Sequence, residues 1–380
     1  MRHHALSDGK GLGTKPLSNF LPLCMVVRFA LLFVVYSFIS FPSFAQETYK
    51  PFSISGFLDA FYAFDFNRPE GPERQKGFYN HNRHNKPAIN VVLIRMHYEK
   101  DSFHAVLDLQ AGTYAQDNYA NEPALYRALY QAYVGWKINP KTSLDIGVFE
   151  SNIGWENAQN TLNPTLTRSL AAENSPYYLS GARLSWEVNS QINLVLTLNN
   201  GWQRIKRVEG NSLPGLSTQV VFSPNDALTF NWSTWIGTDD PDTDRRLRYF
   251  QNFYTQWQPN PSVKLIAGFD IGLQQTSIGS QALQSWLTPV ILASWQFHEH
   301  WAIGARSEYY RDQHQVIINT GSPNGFQTQA VSFNLDRKLS TKIMGRVEGR
   351  YMHSLDPIFE AQGGLSRSNF YLTSTLSAKF

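Results

Sequence analysis

Cysteine is almost missing from this chain of 380 residues, and the single one, Cys24, stands before the apolar stretch that starts at Phe29. That position excludes a lipoprotein cysteine, and without Cys24 the remainder can form no disulfide. A long apolar run is missing too. Phe29 to Phe41 is interrupted by Ser37 and Ser40 and followed by Pro42, short of the ~20 residues a helix needs to span hydrocarbon. With Arg28 before it and Pro42-Ser43-Phe44-Ala45 after it, the stretch reads as a secretory leader cleaved between Ala45 and Gln46. An uncleaved signal anchor is the weaker alternative, and Met25 is the expected true start.

Net charge also disappears with that leader. Residues 1–45 carry Arg2, Lys10, Lys15, Arg28 and Asp8, so the 33 basic and 30 acidic residues fall to 29 of each. The basic balance therefore belongs to the leader, and a nucleic-acid partner loses its support. Catalytic signatures are lacking as well. There is no Gly-rich phosphate loop and no Gly-x-Ser-x-Gly elbow. The eight histidines after the leader are scattered, and no cysteine or carboxylate set completes a zinc site. Asp239-Asp240-Pro241-Asp242-Thr243-Asp244 lacks the spacing and final Glu of a calcium loop, and reads as an acidic loop tip. No metal, cofactor or catalytic residue is expected.

What the chain does have is alternation. Phe103, Ala105, Leu107, Leu109 and Ala111 oppose His104, Asp108 and Gln110. Ile192 to Leu198, Leu228 to Ile236, Val263 to Leu273 and Ile343 to Tyr351 behave alike, with charges kept to one side. The last strand alternates up to Phe380, with Phe370, Leu372, Leu376 and Ala378 on its apolar row. An apolar row that reaches the final residue suits a strand with lipid on one side and water on the other. Aromatics make up 14% of the chain, including 18 Tyr and 10 Trp, which fits rings gathered at membrane interfaces.

Short turns are expected near 100–102, 139–141, 189–190, 223–226, 259–261, 298–300 and 336–338. Longer polar connections are expected near 67–87, 115–125, 151–175, 201–214, 238–245, 276–283, 314–324 and 353–366. The fold class predicted is all-β: a transmembrane up-and-down antiparallel β-barrel of about sixteen strands over residues 46–380. The stretch 246–258 alternates poorly, which leaves fourteen or eighteen open. A soluble two-domain β protein is disfavoured, since no linker divides the chain and the strands are long.

Three segments carry a resemblance: Gly56-Phe57-Leu58-Asp59 through Asn67; Thr167-Arg168-Ser169-Leu170 through Tyr178 with Asn200-Gly201-Trp202-Gln203-Arg204-Ile205; and Arg248-Tyr249-Phe250 with Glu308-Tyr309-Tyr310-Arg311-Asp312. In these the chain resembles the OmpL-like outer-membrane β-barrel porin family (porin-2), frequent in Bacteroidetes. The resemblance implies a barrel with a pore role and supplies no catalytic residues.

The function expected is passive diffusion of small hydrophilic solutes across a bacterial outer membrane, without enzymatic activity. Alternation puts Arg95, Glu99, Arg183, Arg306, Glu308, Lys342, Arg346, Glu348 and Arg350 on the pore wall. Both signs are mixed there, so no strong ion preference is expected. Residues 151–175 either fold into the bore as a constriction or pack on the rim. In the first case Arg168 and Glu173 face the pathway or anchor the loop. The expected partners are outer-membrane lipid, the solutes, and the barrel-assembly machinery through the strand ending at Phe380; a homo-oligomer stays open. A plugged surface-binding or adhesive barrel is the alternative, and an outer-membrane hydrolase a third.

Overall fold

The computed structural model describes residues 51–75 and 77–380. The leader, with Cys24, Met25 and the expected Ala45/Gln46 cleavage point, lies outside the described residues.

Eighteen strands follow in chain order: β1 (Phe52–Asp65), β2 (Ala88–Lys100), β3 (Phe103–Ala111), β4 (Leu129–Asn139), β5 (Thr142–Glu150), β6 (Tyr178–Asn189), β7 (Ile192–Asn199), β8 (Gly215–Asn225), β9 (Leu228–Gly237), β10 (Arg248–Asn260), β11 (Val263–Gln275), β12 (Leu283–His298), β13 (Trp301–Asp312), β14 (Phe326–Lys338), β15 (Ile343–Ser354), β16 (Phe359–Ala361), β17 (Gly364–Ser366) and β18 (Ser368–Lys379). All but β16 and β17 form one closed barrel of sixteen antiparallel strands. β16 and β17 make a small hairpin in the last long connection.

Closure is made by β18 against β1, from Phe57 opposite Lys379 to Asp65 opposite Tyr371. The ladder runs through the final residue, since Gly56 N–H donates to Phe380 O at 2.8 Å and Phe380 N–H returns the bond at 3.0 Å. A closed barrel leaves no strand edge unpaired, which the hydrocarbon region requires.

The faces separate as alternation predicts. In β15, Arg346, Glu348, Arg350 and Met352 are buried inward, while Val347 and Tyr351 are exposed outward. In β18, Asn369, Tyr371, Thr373, Thr375 and Ser377 point in, and Phe370, Leu372 and Leu376 point out. Outward aromatics gather near the short turns, among them Phe103, Trp136, Trp186, Trp257 and Trp295. They form a girdle at one barrel end.

The turn between β14 and β15 differs from expectation. Asp336, Arg337 and Lys338 stay in the ladder, and the reversal falls at residues 339–342. The polar run misleads because Asp336 faces inward and is gripped by Arg346 through two bonds of 2.8 Å. The strand is thus polar without turning. Pro224 likewise lies inside β8 rather than in a turn. The poorly alternating stretch 246–258 nevertheless yields a full strand, β10, paired on both sides.

Candidate functional site

The longest connection, between β5 and β6, lies inside the barrel. Its one α-turn spans Leu170–Glu173 and is capped by Ser169, whose hydroxyl accepts from Ala172 N–H. Its residues 160–170 bond side chains that project inward from β1, β13, β15 and β18.

A buried quartet of charges does most of this. Arg306 and Glu308 come from β13, and Glu348 and Arg350 from β15, each side chain no more than 1% exposed. Arg306 donates to Glu348 at 2.9 Å and Arg350 to Glu308 at 2.5 Å. Arg306 Nε also lies 2.9 Å from Glu308 Oε1, as a charge contact rather than an aligned hydrogen bond. The strands place these residues on one face at intervals of two.

Four buried charges need their remaining donors and acceptors satisfied. The loop does this with its backbone. Thr167 N–H and hydroxyl donate to Glu348 at 2.7 and 2.6 Å, and Leu170 N–H donates to Glu308 at 2.6 Å. Arg306 donates to Thr167 O at 2.5 Å, and Arg350 to Arg168 O at 2.9 Å. Beside the quartet, Arg346 donates to the carbonyls of Asn160, Asn163, Pro164 and Thr165. Asp59 then joins three parts of the chain, accepting from Asn160 of the loop, from Ser377 of β18, and pairing with His81 at 2.8 Å.

The wall also makes room. A Cβ on Gly304 would stand 2.3 Å from the Pro164 carbonyl, and one on Gly268 would stand 2.2 Å from the Trp155 ring. These inward glycines mark where the loop touches the strands. Gly304→Val is expected to push the Pro164 turn off β13, at about 1–3 kcal/mol for overpacking. Chemical denaturation of the folded barrel measures that loss.

Arg168 and Glu173 sit within the loop system itself. Arg168 lies 3.8 Å over the Tyr177 ring and donates to Glu156 O at 3.0 Å. Glu173 accepts from Tyr79 N–H at 3.0 Å and from Asn80 N–H, which ties this loop to the first long connection, residues 66–87. Burial pushes the Glu156 and Glu173 carboxyls above the usual range.

The other expected wall residues divide in two. Arg95 and Arg183 face inward from β2 and β6, 21% and 19% exposed, each paired with a buried aspartate, Asp108 and Asp145. Glu99 and Lys342 lie at the short-turn rim. Glu99 is the next-to-last residue of β2 and pairs with Lys137, and Lys342 is exposed in the turn before β15. Alternation puts Asp108 on the inner row, whereas it does not single out Asp59, Asp336 or Asp145 as loop or wall anchors, although their parity is readable.

Beside the loop two chambers remain. One, of about 260 Å³, is lined by Tyr114, Tyr130, Glu150, Trp155, Arg168 and Tyr177, among others. The other, of about 200 Å³, lies toward the long connections and includes Trp202, Arg204, Asp239 and Arg248. Ser175 lines both. Next to the second, an aromatic cluster of Phe78, Trp235, Phe250, Trp286, Tyr310 and Phe326 fills part of the long-loop end. The expected water-filled wall is therefore asymmetric: loop-packed along β11–β15 and aromatic toward that mouth. The acidic tip holds its own arginines. Asp240 bonds Arg246 at 2.8 and 2.9 Å, and Asp242 pairs with Arg245.

A closed sixteen-strand barrel with an apolar outer row, a polar inner row and a long loop fixed inside its bore is an outer-membrane porin. The chain belongs to the beta-barrel porin-2, OmpL-like family, whose sequence profile matches residues 51–380. Among curated protein sequences none matches. The fold is shared with solved structures at low identity. An anion-selective porin from Comamonas acidovorans is 8% identical, with 87% of this chain and 99% of that chain covered and a TM-score of 0.58. The outer membrane channel DcaP of Acinetobacter baumannii is 9% identical, covering 87% and 97%, with a TM-score of 0.59. Salmonella typhi OmpF, in a complex with daunomycin, is 10% identical, covering 87% and 97%, with a TM-score of 0.60.

Proposed function

We propose that the barrel lets small hydrophilic solutes diffuse down their gradient through the space left beside residues 151–177. The observation that carries this is the loop held across the bore by a buried charge network, with polar chambers of about 260 and 200 Å³ next to it. In this reading Arg306, Glu308, Arg346, Glu348 and Arg350 fix the constriction, while Arg95 and Arg183 line the open side. Arg168 and Glu173 shape the narrow part from within the loop. Transport needs no cofactor, energy source or chemical step, and the chain is not an enzyme. The outer row meets lipid, and the strand ending at Phe380 presents itself to the barrel-assembly machinery. The leader is removed between Ala45 and Gln46 before that.

One relative bears on assembly. OmpT of Vibrio cholerae, described in a trimer form, is 8% identical with a TM-score of 0.58. A homo-oligomer of this chain is proposed on the same fold.

Swelling of proteoliposomes in sugars and amino acids of graded size tests the channel. Permeation rates are expected to fall steeply with solute size, because the loop and not the barrel radius sets the limit. The aromatic cluster at the long-loop end favours one competing reading, a plugged binding barrel. Absence of swelling and of stepwise current from well-folded protein would establish that reading in place of the channel.

A further inference from the structure

We propose that the chamber of about 200 Å³ near the long connections is a binding subsite for small organic carboxylates. The guanidiniums of Arg204 and Arg248 hold the carboxylate, and the Trp202 ring packs the carbon skeleton. The inference deepens the porin reading by naming a solute class, and rests on it only for the claim that the bound solute goes on to cross.

Most arginines inside the barrel are spent on acids. Arg95, Arg183, Arg306, Arg346 and Arg350 each hydrogen-bond a carboxylate. Arg204 and Arg248 do not. Arg204 makes no hydrogen bond among the described residues. Its Nε is buried without one, and its nearest acid, Asp239, lies 3.9 Å away. Arg248 spends only Nε, on Gln274 Oε1 at 2.9 Å. The terminal amino groups of both remain as donors beside one chamber.

The acids of the chamber are largely engaged by the chain, only Asp239 Oδ2 facing Arg204 Nε at 3.9 Å without a hydrogen bond. Asp239 accepts Trp202 N–H at 2.9 Å. Glu173 takes the backbone N–H groups of Tyr79 and Asn80 and the Tyr177 hydroxyl. The unspent charged donors of the chamber are the two guanidiniums, and guanidinium forks match the two oxygens of a carboxylate.

The apolar part of the site fits the rest of such a solute. Arg248 already lies 5.3 Å from the Trp202 ring centre, and Val316 and Ile317 line the same chamber. At about 30 Å³ per water, the volume equals roughly six or seven waters, which suits one small anion rather than a chain. Acid and base are balanced in number here, so recognition comes from available donors rather than net charge.

Isothermal titration of the full barrel in detergent with sodium benzoate tests the subsite. Benzamide serves as the neutral isostere, and single-channel current is recorded in parallel. Benzoate is expected to bind and to interrupt the current, and benzamide to do neither. The double variant R204Q/R248Q should bind benzoate about tenfold more weakly or worse, while still showing the heat-dependent gel shift of a folded barrel. Should that variant not fold, R204K/R248K keeps both charges but loses the forks, and is expected to bind severalfold more weakly. Equal binding of benzamide, or undiminished benzoate binding in the folded variant, overturns the subsite. Current without benzoate binding overturns the subsite and leaves the channel standing. Benzoate binding without any current leaves the subsite standing and removes the channel.

Discussion

Arg306→Leu is expected to release the constriction loop and raise single-channel conductance severalfold. The substitution leaves Glu308 and Glu348 with one arginine between them, both fully buried. It also removes the donors that hold Thr165 and Thr167. Breaking a buried pair from one side costs about 3–5 kcal/mol, mostly because the remaining charge keeps its desolvation penalty. The barrel ladder does not depend on this side chain, so the cost falls on the docking of the loop. A double-mutant cycle with Glu348→Leu checks the mechanism. Removing both partners should cost less than the two single changes together, because no carboxylate is left stranded between them. Conductance that stayed at the wild-type level in folded R306L would separate the quartet from the gate.

The second large effect is on the outer face. Val347→Arg is expected to destabilise the barrel by about 2–4 kcal/mol if residue 347 sits near the bilayer midplane. Val347 is 50% exposed between the inward Arg346 and Glu348 of β15. Charge is therefore tolerated one residue away on either side and is expected to be rejected here, where hydrocarbon is the solvent. Val347→Leu should change stability by less than about 0.5 kcal/mol. Urea unfolding from lipid vesicles measures both. An arginine accepted at residue 347 without loss would mean that water, and not lipid, bathes that row.

The motif segments show how far a sequence reading reaches. Thr167 to Tyr178, Asn200 to Ile205, Arg248 to Phe250 and Glu308 to Asp312 lie far apart in the chain. The barrel brings them together. Leu170 meets Glu308, and Trp202 meets Phe250 with ring centres 4.9 Å apart. Strand faces could be read because parity is local: each residue has its side set by the one before it. The inward position of Arg306 follows from that parity, but its purpose does not. Parity cannot distinguish a charge that faces water from one that faces a loop. Arg95, partly exposed, and Arg306, buried, look alike in the sequence. The turn at 339–342 is hard to read for a related reason, since Asp336 is polar because it pairs with Arg346 inside the barrel. The acids Asp59 and Asp336 escaped notice because their partners come from distant strands and from the loop.

By itself the amino-acid order determined the barrel: a two-residue period repeated through sixteen strands, with hydrocarbon able to accept only one of the two rows. It also marked the long connections, because polar and turn-forming residues interrupt that period wherever pairing stops. Only the tertiary structure decided where residues 151–177 lie and which charges they cover. The loop's backbone donors and carbonyls carry no sequence signature of their own. They acquire partners when the folded barrel sets Arg306, Glu308, Glu348 and Arg350 together in one small, buried space.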